Sequence, residues 1–155
     1  HDAISPAGAL GLMQIMPAVA REQNVELSVH PEQNIRTGIA HFAKKLRRIK
    51  GRTEADALRL SLAAYNGGLG HLRDAQNLAI ESGKSPRLWE DVSEMFLLLE
   101  IPDYSSKAKY GYCQGSAVIE YVSRVMEKYQ TYVALYPIQP VQLSLFEAAK
   151  SEPRT

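Results

Sequence analysis

A mainly α domain is predicted, on three observations. Apolar residues recur every three or four positions through most of the chain, the spacing that lines one face of a helix. Proline, serine and threonine open these periodic segments and glycine closes them, in the order that helix ends prefer. No segment longer than a few residues alternates with the period of two that marks a half-buried strand.

Residues 1–11 read as loop, because Ser5-Pro6 and Ala7-Gly8 are turn chemistry and Gly8 and Gly11 loosen the backbone. A short apolar piece, Leu12 to Met16, follows. Pro17 fits the first position of a helix, where its missing N–H costs nothing; that helix runs through Arg21 and fades near Asn24. The next helix opens at Pro31, after His30, and stops at Gly51. Its Ile35, Ile39, Phe42, Leu46 and Ile49 form one apolar stripe, the kind a helix ordinarily buries.

Thr53 and Asp56 form a capping-box-like start, although such boxes prefer Glu or Gln at the later position. Leu58, Leu62 and Tyr65 mark the buried face of that helix, and Gly67-Gly68 closes it. A further helix from Leu69 to Ser82 buries Leu72, Ala75 and either Leu78 or Ala79. Ser85-Pro86 is another start signal, leading through Trp89, a packing residue, to Val92 and Phe96. Residues 101–115 read as irregular. The last helix starts after Ser116 with Ile119, Val122, Met126, Tyr129 and Val133 on one side, and Pro137 and Pro140 end it. The expected organisation is one domain over 1–136 and a polar, mobile tail over 137–155.

The bulk numbers exclude several classes. A chain of 155 residues buries roughly 70% of its unfolded surface and needs no staples. Its single Cys113 rules out an internal disulfide framework. The net charge of +1, from 18 basic and 17 acidic residues, supplies no field for nucleic acid, so no nucleic-acid partner is expected. No apolar run approaches the ~20 residues of a membrane-spanning helix. His30, His41 and His71 lack metal-ligand spacing, so neither a metal nor another cofactor is expected. The chain opens on His1 rather than methionine, which reads as processing or a fragment, and no signal peptide is visible.

Three local strings are odd for plain helices. Ser5-Pro6-Ala7-Gly8-Ala9-Leu10-Gly11-Leu12-Met13-Gln14 combines glycines with a polar Gln beside methionine. Ala64-Tyr65-Asn66-Gly67-Gly68 sets a tyrosine and an asparagine at a helix end. Tyr121-Val122 sits in the last helix, after the aromatic loop Tyr110-Gly111-Tyr112. In this order and spacing they resemble the soluble lytic transglycosylase (SLT) domain family, whose pattern runs Glu-Ser, Ser-x-x-Gly-Ala-x-Gly-Leu-Met-Gln, Ala-Tyr-Asn and Tyr-Val. Pro31-Glu32-Gln33-Asn34-Ile35 with Gly38, and Trp89-Glu90-Asp91-Val92, are agreeing landmarks. Lys109-Tyr110-Gly111-Tyr112 is most similar to the membrane-bound F-type branch.

The resemblance spans about residues 1–136 and implies a lysozyme-like helical architecture of the goose-type lysozyme and lytic transglycosylase kind. It implies cleavage of peptidoglycan strands between N-acetylmuramic acid and N-acetylglucosamine without water. One glutamic acid protonates the leaving oxygen and then takes the proton of the muramyl 6-hydroxyl, which closes a 1,6-anhydro ring. A pKa raised by an apolar pocket suits that double task, and the two-carboxylate scheme of ordinary glycosidases is not required. Location in the periplasm or at the outer membrane is implied, with membrane association through a region before His1.

This sequence departs from the pattern at its start. No Glu precedes Ser5, so the catalytic glutamate is expected upstream of His1, and the chain as it stands is expected to be inactive. Asp2 is the nearest carboxylate, but it sits in the loop on a shorter arm. Glu22, Glu32 and Glu120 read as solvated helix residues.

The residues expected to bind substrate are Ser5, Met13, Gln14, Tyr65, Asn66 and Tyr121, each with a structural alternative. Met13 reads as core as readily as ligand contact, and Leu12 reads as core. Gln14, if buried, needs partners; by resemblance it faces the cleft and hydrogen-bonds the sugar. Tyr65 as a core aromatic would satisfy its hydroxyl on the backbone. Asn66 would serve as a helix C-cap, Tyr121 as core at helical spacing with Val125, and Ser5 as a turn initiator.

Lys44-Lys45-Leu46-Arg47-Arg48-Ile49-Lys50 reads as the wet face of a helix; its second reading is attraction for anionic cell-wall polymer or lipid headgroups. In the tail, Gln142-Leu143-Ser144-Leu145-Phe146 resembles the pentapeptide by which bacterial proteins dock on the replication sliding clamp, a cytoplasmic partner. Three functions therefore stand side by side: a lytic transglycosylase, a glycan-binding domain that does not cut, and an interaction protein acting through its tail.

Overall fold

In the computed structural model, which describes residues 2–137, a loop-rich stretch leads into seven helices. These are α1 (Pro17–Glu22), α2 (Pro31–Arg48), α3 (Glu54–Asn66), α4 (Leu69–Glu81), α5 (Trp89–Leu98), α6 (Pro102–Ser105) and α7 (Gly115–Leu135). No strand forms among the described residues, only two isolated bridges, Ile4 to Leu10 and Leu10 to Ile15. The mainly α class is as expected. The segment from Gln142 to Phe146 lies outside the described residues.

Local chemistry sets the helix ends. Pro17, Pro31 and Pro102 occupy first helical positions. Asn24 takes a left-handed backbone just after α1, and the Val25 N–H closes back onto the Ala20 carbonyl at 3.0 Å, which is why that helix fades there. The capping box of α3 forms with Asp in place of Glu. The Asp56 N–H donates to the Thr53 hydroxyl oxygen at 3.1 Å, and the Thr53 N–H donates to Asp56 Oδ2 at 3.0 Å. Asp56 is buried, and its other oxygen accepts from the Trp89 N–H at 3.0 Å, so one carboxylate ties the start of α5 to the start of α3.

Helix α3 is the central element and packs against α2, α4, α5 and α7. Leu60, Leu62, Ala63 and Ala64 meet Leu72 and Ala75 of α4, Val92 and Phe96 of α5, and Val118 and Val122 of α7 in one core. The alanines let the helix axes approach, while Phe96 and Leu60 fill the space between them. Trp89 packs against this core, as expected. Ala79, rather than half-buried Leu78, takes the deepest position on its turn of α4.

Four expectations are corrected. The stripe of α2 is only partly its buried face: Phe42 and Ile49 reach the core, but Ile35, Ile39 and Leu46 are exposed, and the N-terminal half of the helix buries Asn34, Thr37 and Gly38 instead. The reason is what α2 packs against. Its inner side meets the backbone of residues 10–13, which presents amide and carbonyl groups rather than methyls. On α7, Val118, Val122 and Met126 are buried, whereas Tyr129 and Val133 project beyond the core into solvent. The stretch 101–115 is not wholly irregular, since α6 forms within it. Ser85-Pro86 makes a turn held by the Ser85 N–H on Asp91 Oδ2 (2.8 Å), and α5 starts later, at Trp89.

Two predictions follow from these buried polar groups. Asn34→Ala strands the Met13 N–H and two carbonyls; it is expected to cost about 3 kcal/mol, lowering the melting temperature by roughly 6–12 °C in calorimetry. For Asp56, burial pushes the carboxyl up, but the bonds from Thr53 and Trp89 outweigh it and hold it below the usual carboxylate range. A depressed pKa means that its contribution is fully present above the unfolded value of about 4 and is lost as pH falls through the folded value. Denaturant melts should therefore show an acid-side loss of stability that Asp56→Asn flattens. An unchanged slope would remove Asp56 as its source.

Candidate active site

The Gly-rich stretch folds into two successive turns stitched by short bonds. The Gly8 N–H donates to the Ser5 carbonyl, and the Ser5 N–H to the Ala9 carbonyl, both at 2.9 Å. The Ala9 N–H also donates to Ser5 Oγ at 3.0 Å. Leu10 and Ile15 then exchange N–H to carbonyl bonds in both directions, so 11–14 are the tip of a tight loop. Gly11 sits at φ +77°, and a Cβ there would lie 2.4 Å from Asn34 Nδ2, so only glycine fits.

Asn34 fixes this loop to α2. Only 2% exposed, its Oδ1 accepts from the Met13 N–H at 2.8 Å, and its Nδ2 donates to the carbonyls of Leu10 (2.9 Å) and Ser28 (3.0 Å). One turn along α2, Gly38 leaves room for Met13; a Cβ there would fall 2.6 Å from the Met13 Cβ. From the other side, the Tyr65 hydroxyl donates to the Met13 carbonyl at 2.8 Å, joining the end of α3 to the same loop.

These contacts open a cavity of about 540 Å³, lined by Ser5, Ala7, Ala9, Leu12, Met13, Gln14, Met16, Tyr65, Asn66 and Tyr121. All six residues singled out in the sequence thus meet in one place. Ser5 spends an acceptor site of its hydroxyl on the turn while its O–H is still available to donate. Gln14 is exposed, not buried, with a left-handed backbone at φ 49°. Its amide nitrogen donates to the carbonyls of Gly11 (2.8 Å) and Ala3 (3.3 Å), which orients its Oε1 as the remaining acceptor. Asn66 is the last residue of α3 and not its cap. Gly67 and left-handed Gly68 close the helix, so the Asn66 side chain is released toward the cavity.

The two tyrosines serve packing and lining together. The Tyr65 ring lies against His41 and Phe42, with centroids 5.8 and 6.0 Å apart. Burial, reinforced by neighbouring Tyr121, pushes its hydroxyl up to about 12, so at neutral pH it stays a donor. Burial also raises Tyr121, which packs on the core along one edge and lines the cavity along the other. His41 is held below its ordinary value by burial and by Lys45, so a neutral ring faces Tyr65.

Sequence reasoning missed four participants. Leu12, read as core, is 54% exposed on the cavity wall, while Ile15 takes the buried position of the loop. Ala7 and Met16 also line the wall, with nothing in their type to signal it. Asn34 was legible only as a landmark of the resemblance, although an asparagine amid a helix facing a glycine-rich loop is itself a sign of a buried polar tether. No carboxylate is among the described residues lining the cavity, and Asp2 is exposed outside it.

Comparisons with known proteins identify the family. The model of the Transglycosylase SLT domain matches residues 1–87. The chain is 39% identical to the membrane-bound lytic murein transglycosylase F of Alteromonas mediterranea over 135 residues, 86% of this chain and 29% of that protein. Against the proteins of the same name from Hahella chejuensis and Pseudoalteromonas translucida, identity is 39% and 37% over 132 residues, 84% of this chain and 26% and 28% of theirs. The chain therefore spans less than a third of the length of these relatives. With its family model matched over more than half its length and its motifs gathered in one cavity, this chain belongs to the transglycosylase SLT domain family.

Proposed function

We propose that this domain is the glycan-binding and positioning part of a peptidoglycan lytic transglycosylase. The parent protein would cleave the β-1,4 bond between N-acetylmuramic acid and N-acetylglucosamine and leave 1,6-anhydro ends. The observation that carries this reading is the convergence of Ser5, Met13, Gln14, Tyr65, Asn66 and Tyr121 on one cavity of amino-sugar size. Hydroxyl and amide groups there alternate with apolar walls, which suits a ligand that offers hydroxyls, acetamido groups and flat ring faces.

The reaction needs a proton at the leaving oxygen and a base for the muramyl 6-hydroxyl. A carboxylic acid preceding His1 would supply both: it gives its proton to the glycosidic oxygen as the C–O bond breaks. The 6-oxygen then bonds to the anomeric carbon, and its proton returns to the carboxylate. No water is consumed. Ser5 and Tyr65 would hold the sugar and shape the site around that acid, and Gln14 Oε1 would accept from a sugar N–H or O–H. The relatives carry membrane-bound in their names, which supports a cell-envelope location. The absence of a carboxylate from the described cavity lining favours a second statement about the chain alone: it binds glycan strands without cutting them.

The parent protein, incubated with purified sacculi, should release muropeptides lighter by one water than the hydrolytic products, as read by mass spectrometry. Reducing muramic acid ends would establish a hydrolase and overturn the mechanism. Tyr65→Phe removes the bond to Met13 and is expected to lower turnover about tenfold or more while costing only about 1 kcal/mol of stability. Loss of folding in step with activity would return Tyr65 to a purely structural role.

A further inference from the structure

The outward face of α2 combines an exposed apolar strip with a cationic groove beside it. Ile35, Ile39 and Leu46 lie within one narrow arc at helical spacing and are exposed, Ile39 at 57%. Flanking that arc, Arg36, Lys44 and Arg47 border a shallow groove of about 530 Å³ floored by Ile39, Ala40 and Ala43. Together α1 and α2 carry six basic side chains against two carboxylates, although the whole chain is only +1. Glu32 pairs with Arg36 and Glu22 with Lys44. Arg47 and Arg48 have no carboxylate partner among the described residues.

From this pattern we propose that the outer face of α2 docks on an anionic lipid surface. A helix lying in a bilayer interface needs an apolar strip to sink among the acyl chains and a cationic flank to meet phosphate headgroups. The strip of α2 satisfies the first need and Arg36 and Arg47 beside it the second; the Arg47 guanidinium, unpaired with any carboxylate among the described residues, suits phosphate. An all-polar anionic polymer would find use for the cations but none for the three exposed isoleucine and leucine side chains. The helix presents Asn34 and Gly38, which hold the cavity loop, on a different side from this strip. Docking through α2 therefore leaves the cavity accessible.

The test is co-sedimentation of the 155-residue chain with vesicles of phosphatidylglycerol or of phosphatidylcholine, at low and high salt. Partition onto the phosphatidylglycerol vesicles is expected, weakened by salt, with little onto phosphatidylcholine. Arg47→Gln should lower partition about fivefold. Ile39→Glu should lower it about tenfold or more, and circular dichroism and melting should be unchanged, because both side chains are exposed. Equal binding to both lipids, no binding, or binding that ignores the two substitutions would overturn the proposal. So would a dimer in sedimentation velocity that Ile39→Glu dissociates, or binding of sacculi rather than vesicles that the same variants abolish.

Discussion

Asn34 is the joint on which the candidate site depends. Loops that carry functional groups need a rigid support, because a displacement of about 1 Å at a reacting centre costs orders of magnitude in rate. The loop 11–14 has no strand or helix of its own to lean on. A single buried side-chain amide does that work, taking one N–H and giving two bonds to carbonyls. Such a group is stable only when every polar atom is matched. Matching requires the Leu10 and Met13 backbone to come within bonding distance of α2, which in turn requires Gly11 and Gly38 to have no side chain. Tyr65 adds a second tether from α3 at the Met13 carbonyl, so Met13 is held at both its N–H and its C=O.

The same joint explains which parts of the fold were legible in the sequence. Helices α3, α4 and α7 bury apolar faces against one another, and there periodicity gave their positions and most of their inward residues, Leu62, Leu72 and Val122 among them. Periodicity misleads where part of a helix packs on polar loop backbone, as the N-terminal half of α2 does at Leu10 and Met13. The inward face there must be polar or small, and Ile35 and Ile39 end up pointing at solvent. Tyr129 and Val133 failed for a simpler reason: α7 continues with its helical pattern past the end of the bundle, and periodicity carries no information about where the neighbours stop.

The candidate site was read from motifs, not from periodicity. Ser5, Gln14, Tyr65 and Asn66 stand out because their chemistry is out of place for plain helix or turn, and the cavity brings them together. Motif reading was less able to say how each side chain is held. Gln14 lines the cavity as the resemblance implies, but what holds it is invisible in the motif: its nitrogen is locked on the Gly11 and Ala3 carbonyls. Asn66 was a candidate cap until Gly67 and Gly68 took that role. For Tyr65 and Tyr121 the structural and lining roles proved compatible, since a large ring has one edge for the core and another for the cavity.

A helix that spends its inner face on hydrogen bonds gives up the burial that usually stabilises a helix in a small domain. For α2 that loss falls on Ile35, Ile39 and Leu46, each forgoing about half of the roughly 1.5–3 kcal/mol that full burial would give. Some of this is recovered by Phe42 and Ile49, which reach the core from the C-terminal half of the helix. The N-terminal half is held by Asn34 and by the close approach at Gly38. Its exposed isoleucines add nothing to that anchorage, and replacing them with polar residues would cost the isolated domain little. The construction of the loop support and the exposure of the stripe are thus two sides of one packing choice: the residues that orient the cavity are the ones that displaced the apolar face outward.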